Sequence, residues 1–152
     1  MRRDALTGAV ALAAMALASC GPGRDGTMIN AGICADFKAP TAPVAATADA
    51  APVEDCLHRW AYSLAGGRDS AEVVADATAA ACGAALGRWN EAALAQQGGA
   101  QPNALSLTSG QPTNALAEHA AFVHGRALFY VVQARAGRCA PPSATNGVPA
   151  GT

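Results

Sequence analysis

The chain carries little excess charge of either sign. Its 152 residues hold 10 basic and 11 acidic side chains, a formal net charge of −1. That balance gives no electrostatic footprint for nucleic acid, and no polybasic cluster suited to anionic lipid is present. No C-x-x-C occurs, which removes both a thioredoxin-like redox motif and a zinc knuckle. No G-x-S-x-G elbow is present, and no glycine-rich loop follows a strand to open a helix, so neither a hydrolase nucleophile nor a phosphate cradle has support. The acidic residues are scattered, without a carboxylate pair suited to glycoside chemistry. His119 and His124 are five residues apart, about 140° around a helix, whereas metal-binding pairs sit three or four apart. No cofactor or metal is expected from this sequence, and an enzyme is the weakest of the functional readings.

The chain also has no uninterrupted apolar run of membrane-spanning length. Ala5 to Ala18 is apolar apart from Thr7 and Gly8. At about 14 residues it falls short of the roughly 20 that a spanning helix needs, and it suits a secretory core preceded by the positive pair Arg2 and Arg3. It ends in Leu17-Ala18-Ser19-Cys20, followed by the helix-breaking Gly21-Pro22-Gly23.

Leu17-Ala18-Ser19-Cys20 resembles the bacterial lipobox. The resemblance covers only the first twenty residues. It implies that residues 1–19 are a cleaved signal, that Cys20 receives a diacylglyceryl thioether, and that the new amino group is acylated, as with palmitate. Each buried acyl methylene contributes about 0.8 kcal/mol, so two or three chains anchor stably. Gly21 is not the aspartate that resembles an inner-membrane retention signal. The expected location is therefore the periplasmic face of the outer membrane, with the inner membrane as the alternative. Arg2, Arg3 and Asp4 leave with the signal, so the remaining chain has 8 basic and 10 acidic residues of the original 10 and 11.

The rest reads as a small all-α domain of three helices between an N-terminal tether and a C-terminal tail. Residues 20–52 are rich in Ala, Pro, Gly and Thr and lack apolar periodicity, as expected of a tether. Met28 to Phe37 is the exception: Ile29, Ile33 and Phe37 recur every four residues around Cys34, which suggests a short docked segment. The helical domain is placed at 53–139. Its first helix runs Val53–Ala65, after Pro52 and before Gly66-Gly67. Val53, Cys56, Leu57, Trp60 and Leu64 face the core, while Glu54, Asp55, His58 and Arg59 face solvent. A second helix runs from Ser70 to about Gln97, with Asp69 and Glu72 as its capping pair. Gly83 and Gly87 weaken it by roughly 1 kcal/mol each and allow a bend near them. The Gly- and Pro-rich stretch from Gly98 to Pro112 is a long loop.

The third helix runs Asn114–Ala136, capped by Thr113, and is apolar around most of its circumference. A helix of that kind belongs in the middle of a small domain. Its one polar stripe, His119, Arg126 and Gln133, faces water or docks a partner. Residues 140–152, rich in Pro and Gly, read as a disordered tail.

With Cys20 lipidated, Cys34, Cys56, Cys82 and Cys139 form an even set in an oxidising compartment. If the first two helices form a hairpin, Cys56 lies about 13 Å and Cys82 about 18 Å below the Gly66-Gly67 turn. Both lie on apolar faces, which predicts Cys56–Cys82 and, with it, Cys34–Cys139.

Three functions remain. The first is a structural or protein-interaction lipoprotein, with the membrane and another envelope protein as partners. The second is a small-ligand or inhibitor-type binding module, for which a pocket of several hundred Å³ beside Trp60 and Trp89 would speak. The third is a small enzyme.

Overall fold

A computed structural model describes residues 31–37, 50–96, 104–106 and 109–152. The signal, Cys20 and most of the predicted tether lie outside the described residues. The architecture is helical: α1 (Ala51–Leu64), α2 (Ala71–Ala81), α3 (Gly83–Gln96) and α4 (Ala115–Gly137). A 3₁₀ turn at Ala31–Ile33 precedes them. Two short antiparallel hairpins complete the described fold. One pairs β1 (Ala104–Leu105) with β2 (Pro112–Thr113), and the other pairs β3 (Ala144–Thr145) with β4 (Val148–Pro149).

As expected, α4 is the central helix and packs against α1, α2 and α3. Leu57 and Val131 are fully buried, and so are Ala61, Ala75 and Ala127. Small side chains at these contacts let the helix axes approach closely. Part of the alanine bias therefore does packing work. Among the described residues no helix is long and apolar enough to cross a membrane.

The predicted second helix is two helices, which makes four in all. The chain leaves helical geometry at Cys82 (φ −93°, ψ 11°), and α3 begins at Gly83. Cys82 N–H is shared between the Thr78 and Ala79 carbonyls, both at 3.2 Å. A glycine disfavours the helix by roughly 1 kcal/mol, and Cys82 is tied sideways to Cys56 on α1; together they redirect the chain. Two caps also differ by one residue from expectation. Ser70, not Asp69, caps α2 by accepting from Val73 N–H, and Asn114, not Thr113, caps α4 by accepting from Ala117 N–H. Each sits in extended backbone, the geometry an N-cap requires.

Both predicted disulfides form. Cys56–Cys82 joins α1 to the α2–α3 bend, and Cys34–Cys139 ties the N-terminal segment to the end of α4. The described part of the docked segment, 31–37, is held further by its Ile33 carbonyl, which accepts from Tyr62 Oη at 2.9 Å and from the Gln133 amide. Gly137 makes this crossing fit. A Cβ there would lie 2.7 Å from both Cys139 Sγ and Ile33 Cγ2.

The tail is ordered, contrary to the reading of 140–152 as disordered. Asn146 and Gly147 both take positive φ, 51° and 80°, as a two-residue hairpin turn requires. Pro142 and Pro149 are buried. Ala150 closes the hairpin by donating to Ser143 O at 2.8 Å, and its own carbonyl accepts from Arg59 Nη1 at 2.7 Å.

The docked tail and the 31–37 segment also change the environment of α1. Arg59 is only 2% exposed, with its Nε donating to Asp55 at 2.7 Å. Glu54 and His58 are half-buried. The side of α1 assigned to solvent is covered at Arg59 by the tail, at His58 by Phe37, and at Glu54 by α4.

Candidate cleft between α1, α3 and the C-terminal hairpin

An open cleft of about 680 Å³ lies between α1, α3 and the β3–β4 hairpin. Its walls are Ala51, Pro52 and Trp60 from the α1 side, Ala84 and Ala85 from α3, and Val148 from the hairpin. The Cys56–Cys82 bridge lines it as well. The bend at Cys82 sets the angle between α1 and α3, so the cleft depends on the same covalent link that redirects the helix. Trp60 is half-buried, so its ring is both packed and accessible.

Two charged side chains line this cleft, Asp55 and Arg88, and Thr152 lines it as well. Asp55 is already paired with Arg59. Arg88 is exposed and makes no ion pair or hydrogen bond among the described residues. Trp60 was legible as a wall residue. Arg88 and the hairpin were not, because nothing in the local pattern brings residues 148–152 back to α1.

Trp89 does not line the cleft. It stacks on His119 with ring centroids 3.5 Å apart and meets Phe122 edge-on at 5.5 Å. The two tryptophans are therefore not a shared pocket wall.

The polar stripe of α4 is turned toward this chain. His119 Nδ1 lies 2.7 Å from Asn90 Oδ1 on α3. Arg126 donates to Glu54 on α1 and, at 2.9 Å, to Tyr130, whose hydroxyl donates to Glu54 at 2.8 Å. Gln133 donates to Ile33 O. All three are half-buried. The outward face of α4 is instead apolar: Phe129 and Val132 are 51% and 52% exposed. Among the described residues no cluster of potential ligands could hold a metal ion, and His124 makes only an exposed contact with Asp76 at 3.3 Å.

Behind α1, His58 sits among Phe37, Tyr62 and Tyr130, with centroid distances of 4.6 to 4.7 Å. Its Nε2 is buried without a hydrogen-bond partner among the described residues. Burial pushes its pKa below the ordinary imidazole value; Asp55 opposes the shift and Arg59 adds to it. Burial lowers His119 in the same direction. Both rings are therefore favoured neutral when folded. As pH falls below about 6.5 the unfolded chain binds protons that the folded chain resists, so stability declines until the folded-state values are reached. The expected result is a denaturation midpoint that is level between pH 7 and 8 and falls between pH 6.5 and 5. His58→Phe should flatten that slope, leaving the part due to His119. An unchanged slope in the variant would show that His58 does not contribute.

No protein-family model, curated protein or solved structure matches this chain.

Proposed function

We propose that this chain is an exported, lipid-anchored binding module of the bacterial envelope, and that its α1–α3–hairpin cleft takes a small, mostly apolar ligand. The observation that carries this reading is the position of Cys56–Cys82, which is both a structural cross-link and part of the cleft lining. A site built on an oxidised cysteine pair belongs to an oxidising compartment. That agrees with the lipobox-like Leu17-Ala18-Ser19-Cys20. The cleft volume lies within the roughly 300–1,000 Å³ of small-molecule sites, and its lining is mainly apolar, as such sites are.

A second reading, contact with another envelope protein, has its own support in the exposed Phe129 and Val132 on α4.

Membrane attachment is tested by fractionating cells that produce the wild type or Cys20→Ser. The wild type is expected in the membrane fraction with acyl mass added, and the variant in the soluble periplasmic fraction without it. Equal mass additions and equal partitioning would reject the lipoprotein reading.

A further inference from the structure

We propose that the outward face of α4 rests on the membrane that carries the lipid anchor, with Phe129 and Val132 seated at the boundary between headgroups and acyl chains. This rests on the anchor proposed above and is independent of the cleft.

Helical spacing defines the face. Ala121, Gly125, Leu128, Phe129, Val132 and Ala136 fall on one side of α4. Leu128 is half-buried and the other five are exposed. On α2, Val73 is 56% exposed. It lies one turn from Asp76, which meets His124 on α4, so it stands along the edge of the same face. No charged side chain interrupts the strip. The neighbouring Arg126 turns to Glu54 and Tyr130, and Arg135 donates to the Ala65, Gly67 and Asp69 carbonyls. The polar stripe of α4 is engaged inside the domain while its apolar strip is exposed, the reverse of a helix that faces water.

The tether points to what covers this face. The turn Ala31–Ile33 lies 11 residues after Cys20, a reach of at most about 40 Å. It enters against the last turns of α4. Ile33 O accepts from Gln133, and Ile33 Cγ2 lies 2.7 Å from where a Cβ on Gly137 would fall. Gln133 is one turn beyond Phe129, so the apolar strip flanks the anchored end of the domain. Cys34–Cys139 fixes that arrangement covalently. A surface held there meets the bilayer at high effective concentration and needs little affinity of its own. A second copy or another protein must instead hold by contact area. The strip from Ala121 to Ala136 is about 22 Å long and about 10 Å wide, well short of the roughly 800 Å² a side that a stable interface buries.

The test uses the full lipidated chain in vesicles of phosphatidylethanolamine and phosphatidylglycerol. Val132→Cys carries an environment-sensitive fluorophore, the four cysteines of the domain being bridged. Leu94→Cys on α3 and Thr145→Cys on the hairpin, both exposed positions, are the controls. On vesicles the label at 132 is expected to emit at shorter wavelength than on the soluble Cys20→Ser chain. It should be quenched by nitroxides on the upper acyl chain and lose access to iodide. Labels at 94 and 145 should keep the emission and iodide access they have on the soluble chain. Phe129→Asp should return the label at 132 to water without releasing the protein from floated vesicles.

If the chain floats with the vesicles and all three labels stay in water, the docking proposal is overturned and the anchor stands. If the chain does not float, both fall. Shielding of the 132 label from iodide without quenching by the lipid nitroxides would overturn the proposal in favour of a second copy or another protein on this face.

Discussion

Replacing Cys34 and Cys139 together by alanine is expected to lower the stability of the domain by about 4 to 5 kcal/mol. The bridge spans 105 residues, and in the chain-entropy model a loop of that size restricts the unfolded chain by about this amount. Small domains are stable by about 5–15 kcal/mol, so the loss removes a large share of the total. The bridge also clamps the 31–37 segment, which the Ile33 carbonyl and the packing of Phe37 against His58 and Tyr62 help to hold. A non-reducing denaturant titration reads the effect. The matching Cys56→Ala, Cys82→Ala protein closes a loop of only 26 residues and should lose about 3.5 kcal/mol on the same model. A loss below about 1 kcal/mol for the Cys34, Cys139 protein would mean that the bridge adds little to constraints already present in the unfolded chain.

Arg59→Ala is the second large effect, an expected loss of about 2 to 3 kcal/mol with release of the C-terminal hairpin. Arg59 is buried, holds Asp55, and donates to Ala150 O. Hydrogen bonds to a charged group each contribute about 1.5–3 kcal/mol, and the aliphatic stem adds packing. Asp55 is 39% exposed, so water can take over part of Arg59's role there, which holds the loss below that for a fully buried pair. Gly151 packs against the guanidinium: a Cβ on it would lie 2.9 Å from Arg59 Cζ. Hydrogen exchange should therefore show the amide of Ala150 losing protection in the variant while α4 keeps its own. Retained protection at Ala150 would show that the hairpin docks without Arg59.

Both predictions involve chain ends, and the ends are where sequence and structure part company. The helices were legible because apolar periodicity and local caps act within a few residues. The disulfide pairing was legible too. Helical pitch places Cys56 and Cys82 at similar depths below the Gly66-Gly67 turn, and the remaining pair follows. α4 as the central helix could be read from its nearly continuous apolar circumference.

The misreadings share a cause. Arg59 and His58 looked solvated because what covers them comes from a segment about 14 to 20 residues before α1 and from the far end of the chain, and Glu54 because its partners, Arg126 and Tyr130, are more than 70 residues away on α4. The break at Cys82 was softened in the sequence by alanine, which favours helix on both sides of Gly83. In the tail, Asn146-Gly147 is a strong hairpin signal, but it sits among prolines and glycines that resemble a disordered stretch. His119, Arg126 and Gln133 form a true stripe. What the spacing could not show is that Asn90, Glu54 and Ile33 supply partners for it, so the stripe faces inward and Phe129 and Val132 face out. The cleft was half legible: Trp60 was a candidate wall, but the hairpin that closes it was not foreseen.

The five cysteines have two expected fates, lipid attachment at Cys20 and disulfide bonding at the other four. Intact mass of the protein extracted from cell membranes, after thiol alkylation without reduction, reads all five at once. The expected species begins at Cys20, carries acyl groups on that residue, and takes up no alkylating reagent. A 152-residue chain recovered from the cytosol with alkylated cysteines would contradict it.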